Sequence, residues 1–401
     1  MYQAEPIHLE RLYRVRQAAL DESPVTGLTH TFYRYPARFS PVFPRAAIEA
    51  FSEPGQVVLD PYMGGGTTVL EAMVAGRKAV GADLNSLARF VTQVKTTPLT
   101  QSERAEIAHW AESAVQQVKY CDSLEDAPDP RLSDIPKNMT LPAARPLRKA
   151  IALCIAAAET ELPTTASRRF ARCVMLNVGQ WALNGRRQTP TIADLRARVA
   201  QATRQMLDGV VELQAAMRVP KREGRAVRPV LVECDAAKID QTAVTKHGPI
   251  DLVVTSPPYP GIHMLYHRWQ VDGRKETDAP YWIAACNDGQ GSSYYNFADR
   301  RRQAEDRYFA KAAETFRATR AVMREGAIMV QMIAFSDPDR QLQRYLRVME
   351  GAGFSEVRDK HERRTYRNVP SRSWHATSKG DLPSSREVML VHQAACELPA
   401  A

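Results

Sequence analysis

The chain has 401 residues, of which 44% are hydrophobic and 25% charged, the balance of a globular protein able to bury a core. This excludes a disordered polar chain, a collagen-like chain and a small disulfide scaffold. Lys and Arg outnumber Asp and Glu by 54 to 45, a formal charge of +9. No apolar run approaches the roughly 18 residues of a membrane span. The N-terminus lacks the basic stretch and apolar core of a secretory signal, so a cytoplasmic protein is expected. The six cysteines lie far apart with no Cys-x-x-Cys pair, which reads as reduced thiols and no zinc knuckle.

Residues 1–30 form an amphipathic lead-in, with Leu9, Leu12, Val15 and Ala19 on one helical face. From Pro54 the pattern becomes strand (56–59), Gly-rich turn (60–66), helix (67–75) and strand (78–82), with Gly76 suited to the left-handed end of the helix. That βαβ unit predicts an α/β fold with a parallel sheet. Thr100-Gln-Ser-Glu103 is a capping-box signature for a helix to about residue 119. An acidic loop (122–136) and helices over about 145–160, 166–183 and 191–218 follow. Strand patterns resume at 229–235 and 250–255. Residues 260–300 read as a long loop with short elements. A helix (305–324), a strand (327–333), a helix (338–351) and strands near 354–358 and 387–391 complete the chain.

Charge is not spread evenly. Residues 131–230 hold 18 basic and 7 acidic side chains, a net +11 that exceeds the charge of the whole chain. A polyanion-binding face localises charge in this way; the alternative is a helical cap whose basic face meets only solvent.

Asp60-Pro-Tyr-Met-Gly-Gly-Gly-Thr-Thr68 leaves a strand and enters a helix, where glycines admit close ligand approach and the helix start offers free N–H groups. It lacks the third Gly of the dinucleotide fingerprint and the Lys of the phosphate-binding loop. Asp83, some twenty residues on, ends the second strand, where a carboxylate can accept both hydroxyls of a ribose. A plain tight turn is the rival reading. Thr255-Ser256-Pro257-Pro258-Tyr259 also follows a buried strand, at the carboxyl edge where α/β sheets bind ligands. Its prolines supply rigid carbonyl acceptors, Ser256 adds a hydroxyl and Tyr259 an aromatic face. Such a platform suits an exocyclic amine on a planar base.

Together Asp60-Pro-Tyr-Met-Gly-Gly-Gly-Thr, Gly81-Ala-Asp-Leu-Asn85 and Thr255-Ser-Pro-Pro-Tyr259 resemble the S-adenosylmethionine-dependent amino-methyltransferases of DNA, acting on cytosine N4 or adenine N6. Phe32-Tyr-Arg-Tyr-Pro-Ala-Arg-Phe-Ser-Pro41 is similar to the family's N-terminal methionine-binding motif. The resemblance covers about 30–95 and 230–392. It implies a Rossmann-like class I methyltransferase sheet with a mostly helical insertion: a lead-in and cofactor-binding part (1–96), a basic insertion expected to recognise the target (97–228) and a catalytic part (229–401). It implies that Arg38, Phe39, Asp60, Tyr62, Gly64, Gly66 and Thr67 surround the methionine part of S-adenosylmethionine. By the same resemblance Asp83 binds the ribose, Leu84 packs on the adenine and Asp235 contacts the adenine amine. Ser256, Pro257, Pro258 and Tyr259 are the implied catalytic residues, and Ser in place of Asp is typical of the cytosine-N4 branch, although some Ser-type enzymes methylate adenine. Three glycines in the turn, and Tyr62 where Phe is common, depart from the family pattern.

The lone pair of an aromatic amine is delocalised into the ring. Hydrogen bonds to Ser256 and the Pro257 carbonyl would favour a pyramidal nitrogen aimed at the methyl group, so positioning carries much of the rate. The base must leave the duplex and stack on Tyr259. Double-stranded DNA is the implied partner, with a cognate restriction endonuclease if the chain is the modification half of such a system. Arg168, Arg169, Arg186, Arg187, Arg196 and Arg198 are the candidate DNA contacts. His263, His267 and Trp269 follow Tyr259 and either line the base pocket or simply pack; with no convincing carboxylates nearby, no metal is expected. Arg300 to Arg302, with Arg363, Arg364, Arg367 and Arg372, either hold phosphates or are solvated. The rivals are adenine-N6 methylation and a catalytically silent DNA-binding relative.

Overall fold

The computed structural model describes residues 9–35, 38, 40–119, 121–125, 127–217, 228–260, 268–273, 275–289, 305–358, 364–368 and 386–395. In chain order these form α1 (Leu9–Ala19), α2 (Val42–Phe51), β1 (Val57–Asp60), α3 (Thr67–Val74), β2 (Lys78–Asp83) and α4 (Ser86–Thr96). A helical region follows: α5 (Gln101–His109), a π-helical turn (Trp110–Ala114), α6 (Val115–Gln117), α7 (Arg145–Glu161), α8 (Thr165–Leu183) and α9 (Ile192–Ala216). The chain then gives β3 (Val230–Glu233), β4 (Ile250–Thr255), the hairpin β5 (Trp269–Val271) and β6 (Lys275–Thr277), and α10 (Ala279–Ala284). It ends with α11 (Glu305–Val322), β7 (Met323–Ala334), α12 (Pro338–Gly351), β8 (Phe354–Glu356), β9 (Thr365–Asn368) and β10 (Arg386–Ala394).

Eight strands build one sheet in the order β3-β2-β1-β4-β7-β10-β8, with β9 also paired to β10. The first five strands in that order run parallel, and β10 is antiparallel to each of its neighbours. This is the expected Rossmann-like α/β sheet. Val57 and Leu59 of β1 pack with Phe316 of α11 and Tyr345 of α12, while Val58 packs with residues of α1, α2 and α3. Helices on both faces explain why β1 and β4 are buried along their whole length. Strand order reverses between β1 and β4, and the carboxyl ends of strands at such a reversal are where open α/β sheets bind ligands.

Local chemistry starts the helices where the sequence predicts. Thr100 and Glu103 complete a capping box on α5, as Thr191 and Asp194 do on α9. The helix after Thr100 is not uniform, however: it passes through the π turn at buried Trp110, whose indole donates to the Cys154 carbonyl at 3.1 Å. Helices α5 to α9 share one apolar cluster with Phe32, Tyr33 and Tyr35, with the inner face of α4, and with Trp269, Tyr281 and Ile283. Five cysteines among the described residues are free, and burial pushes the Cys154 and Cys173 thiols up to about 12. No helix among the described residues is long and apolar enough to cross a membrane.

Candidate active site

Two carboxylates stand at the carboxyl edge of the sheet. Asp60 ends β1, and its Oδ1 accepts the Thr255 hydroxyl at 2.6 Å and the Tyr62 amide at 3.1 Å. Burial pushes its carboxyl up to about 6, more than these hydrogen bonds pull it down. Asp83 ends β2 and accepts the Gly64 amide at 2.9 Å on one oxygen and the Asn85 amide at 2.8 Å on the other. Burial pushes this carboxyl up to about 6 as well. Because Thr255 ends β4, its bond to Asp60 ties the Gly turn after β1 to the Ser256–Tyr259 segment.

The turn glycines answer to the protein's own packing. Gly66 caps α3 in the left-handed region (φ 75°), and a Cβ there would lie 2.5 Å from Thr92 Oγ1. Gly65 is outside that region, but its Cβ would come within 2.8 Å of Tyr35 Cβ. Gly65 and Gly66 therefore follow from two close helix and loop approaches as well as from any ligand.

Behind the turn lies a charged group absent from the sequence expectations. Lys95 is buried in the last turn of α4, and its Nζ donates to the Gly65 carbonyl at 2.7 Å. Burial, aided by nearby Arg38, pushes its ammonium down to about 7. Arg38 donates to the His30 carbonyl at 2.9 Å, and burial lowers its pKa. Buried Glu71 is held at 2.7 Å by both His30 Nε2 and Arg45 Nε. Thr67 is buried at the start of α3, Leu84 is half-buried beside Asp83, and burial pushes the Tyr62 phenol well above its ordinary value. Phe39 lies outside the described residues.

The Ser-Pro-Pro-Tyr segment is held from two sides. Ser256 Oγ lies 2.8 Å from Tyr259 Oη, and the Tyr259 hydroxyl donates to Glu387 Oε1 on β10 at 2.8 Å. Arg367 of β9 holds the other oxygen of Glu387 at 2.7 Å. From α11, the Tyr308 hydroxyl donates to the Pro258 carbonyl at 2.6 Å, and one turn later Lys311 Nζ meets Asp235 Oδ2 at 2.6 Å. Burial pushes the Asp235 carboxyl up, but bonds from Lys311 and the Ala237 amide outweigh it and hold it below its ordinary value. One face of α11 thus touches both the Ser-Pro-Pro-Tyr backbone and Asp235. Glu387, Tyr308 and Lys311 had no sequence signal beyond their places in a strand and a helix.

Other candidates divide. Trp269 is buried in the helical cluster, its indole donating to Tyr33 at 3.0 Å and its ring lying against Gly179, so its role is packing. Arg364 and Arg367 are ion-paired with Glu356 and Glu387 at 2.7 Å each. His263, His267, Arg300 to Arg302, Arg363 and Arg372 lie outside the described residues. Arg168 and Arg169 line a cleft of about 590 Å³ with Arg89, Arg131 and Arg172, between α4, α8 and the segment after α10. Arg168 also donates to the Leu162 carbonyl at 2.7 Å. Arg186 and Arg198 sit over the Trp181 ring at 5.1 and 5.9 Å, Arg187 is exposed beside them, and Arg196 is bonded to the Val118 carbonyl. The six arginines therefore do not form one continuous stripe. No group of three or more His, Cys, Asp or Glu suited to a metal occurs among the described residues.

Fold and site together define a Rossmann-like α/β protein with a glycine turn and two carboxylates at its strand-order reversal. Among known proteins, residues 11–91 match the family model described as DNA methylase, of the N6 and N4 type, about a fifth of the chain. Over 79 residues the chain is 33% identical to the type II methyltransferase M.MvaI of Kocuria varians, a stretch covering 19% of this chain and 17% of that protein. Over 76 residues it is 28% identical to the type II methyltransferase M.MjaII of Methanocaldococcus jannaschii, covering 19% and 14%. The matched stretch is thus under a fifth of either relative's length. TrmN from Thermus thermophilus superposes over 91% of this chain and 52% of its own at 11% identity, with a TM-score of only 0.32. The resemblance to the DNA amino-methyltransferases is borne out over the part of the chain holding the Gly turn and Asp83.

Proposed function

We propose that the protein is an S-adenosylmethionine-dependent DNA methyltransferase that modifies the exocyclic amine of a flipped base, with cytosine N4 the favoured target. One observation carries this reading: the Thr255–Asp60 hydrogen bond of 2.6 Å, which sets Ser256-Pro-Pro-Tyr259 beside the glycine turn at the reversal of strand order. The chemistry of the turn fits the cofactor. Arg38 and buried Lys95 offer positive charge for a carboxylate, Asp60 negative charge for an ammonium, and Asp83 acceptors for ribose hydroxyls. Leu84 supplies apolar surface for the adenine and Asp235 an acceptor for its amine. When bound, the cofactor supplies an electrophilic methyl group on a sulfonium. Ser256 and the Pro257 carbonyl would accept the two amine hydrogens, and Tyr259 would stack on the base at the cost of a few kcal/mol for flipping.

The basic helical region (97–228) is the proposed target reader, supported by its charge and by exposed Arg186 and half-buried Arg198 over Trp181. A cytoplasmic modification enzyme acting on double-stranded DNA, with a restriction endonuclease as counterpart, fits this reading. Adenine N6 is the second reading, because acceptors at Ser256 and Pro257 suit any exocyclic amine. Enzymatic digestion of DNA methylated by the protein, followed by mass spectrometry of the nucleosides, decides between them. N4-methylcytosine is expected; 5-methylcytosine, or no methylated base from folded protein that binds the cofactor, would overturn the proposal.

A further inference from the structure

Glu387 is 4% exposed, lies on the last strand of the sheet and belongs to no motif, yet it ends a hydrogen-bonded line that begins at Ser256. An ionised carboxylate only accepts hydrogen bonds. The single hydroxyl proton of Tyr259 therefore points to Glu387 Oε1, at 2.8 Å. The Tyr259 oxygen is left as an acceptor, so at the 2.8 Å approach to Ser256 it is Ser256 that donates. The serine proton is thereby turned toward Tyr259 and its lone pairs are left for an incoming donor.

We propose that Glu387, acting through Tyr259 and Ser256, orients Ser256 as an obligate acceptor for the substrate amine and receives the proton that methylation releases. This inference rests on the amino-methyltransferase reading. A serine hydroxyl alone is too weak a base to keep a proton, whereas a line ending on a carboxylate can pass it on. As the amine lone pair forms the new N–C bond, the C–S bond breaks and its electron pair stays on sulfur. The amine proton moves to Ser256 Oγ, the serine proton to Tyr259 Oη and the tyrosine proton to Glu387 Oε1. The positive charge lost from sulfur is matched by the proton that leaves Glu387 a neutral carboxylic acid, and that proton returns to water between turnovers. Arg367 of β9 holds the other oxygen of Glu387 at 2.7 Å, which leaves Oε1 to face the Tyr259 hydroxyl. Among the described residues, Arg367 and Tyr259 are charged and titratable groups bonded to Glu387, and its ladder partner on β7 is Ala334. Glu387 is a positioning residue; Ser256 is the group that meets the amine.

The test uses the full chain as wild type, Tyr259→Phe, Glu387→Gln and Glu387→Asp. Single-turnover transfer of labelled methyl into unmethylated genomic DNA is followed across pH and in H2O/D2O mixtures. Binding of cytidine and uridine without cofactor is measured by ligand-observed NMR. Tyr259→Phe keeps the stacking ring, and both it and Glu387→Gln should lower the rate ~10²-fold, the range of a missing acid–base group. They should also flatten the acidic limb of the pH profile and turn a curved solvent-isotope dependence linear. Glu387→Asp should recover part of the rate. The wild type should prefer cytidine, whose amine donates, to uridine, whose carbonyl accepts; Glu387→Gln, whose amide can donate to Tyr259 and reverse the line, should lose that preference. Folded Tyr259→Phe and Glu387→Gln variants that keep the wild-type rate, pH profile and nucleoside preference would overturn the proposal. A wild type that binds S-adenosylmethionine but methylates no DNA would instead overturn the functional reading, and this inference with it.

Discussion

The Thr255 hydroxyl donates to the Asp60 carboxylate at 2.6 Å, joining the ends of two parallel strands that share no loop. Thr255→Val keeps the shape and removes the donor, leaving a buried carboxylate oxygen short of a partner. A loss of roughly 1–3 kcal/mol in unfolding free energy is expected, with weaker methyl transfer than the stability change alone explains. Chemical denaturation beside cofactor-binding calorimetry separates the two effects.

Asp60 and Asp83 are both pushed up to about 6 from an ordinary value near 4. Between those values the folded chain holds more protons than the unfolded one, so these groups make stability fall as pH rises through that window. Cofactor binding should show the opposite trend, since an ammonium and ribose hydroxyls favour ionised carboxylates. Affinity for S-adenosylmethionine should therefore tighten from pH 5 to pH 7. Asp83→Asn should flatten much of that rise, and Asp83→Ala should weaken binding by roughly 1–3 kcal/mol at neutral pH. Isothermal calorimetry at several pH values reads both, and pH-independent affinity in the wild type would count against the assignment.

Lys95 has its ammonium pushed down to about 7, so between there and its ordinary value near 10.5 the unfolded chain holds the extra proton. Its contribution to stability accordingly rises with pH across that range and is least favourable below it. Lys95→Met should remove this slope, leaving a variant at least as stable as wild type near pH 6 despite the missing bond to Gly65. Thermal denaturation from pH 6 to pH 10 gives the comparison.

Gly66→Ala combines a left-handed backbone with a Cβ placed 2.5 Å from Thr92 Oγ1. The conformational part alone is about 1–2 kcal/mol, and the clash adds to it. Reduced melting temperature and weakened cofactor binding are expected together, because the same turn supplies the Gly64 amide to Asp83.

The six candidate arginines should separate in DNA binding. Neutralising Arg186 and Arg187 together should lower the salt slope of binding by about one for every phosphate they had neutralised, and leave folding intact. Arg196→Ala removes a bond to the Val118 carbonyl and should act chiefly on stability. Filter binding over a salt series, with a melting curve for each variant, distinguishes a DNA-contacting residue from a structural one.

Much of this was legible in the sequence because local chemistry and burial agreed. Val57 to Asp60, the glycines after it and Gly76 read directly as strand, turn and helix end, and Thr100 with Glu103 announces α5. Helix α2 was not expected, nor was α4, which starts only three residues after Asp83 on an Asn85 cap. Lys95 carries no signal in the sequence; its burial against the Gly65 turn appears only in the fold. Trp269 seemed free for either role, and its partner Tyr33 lies more than two hundred residues away. Glu387 escaped notice because a carboxylate opening a strand normally faces water. Its meaning depends on Tyr259 arriving from the segment after β4 and Arg367 from β9.

Helices α5 to α9 pack into one cluster with Phe32 to Tyr35, α4 and the β5 to α10 stretch. This has a practical consequence for anyone wishing to retarget the protein. Exchanging residues 97–228 as a cassette would strip Trp269, Tyr281 and Ile283 of their partners and uncover the inner side of α4, whose Asn85 cap is hydrogen-bonded to both Tyr35 and Tyr281. A workable graft would carry the Phe32–Tyr35 segment and the β5 to α10 stretch along with the helices. With the helices as the target reader proposed above, a new sequence preference would require a three-part transplant, with the glycine turn and its two carboxylates left in place.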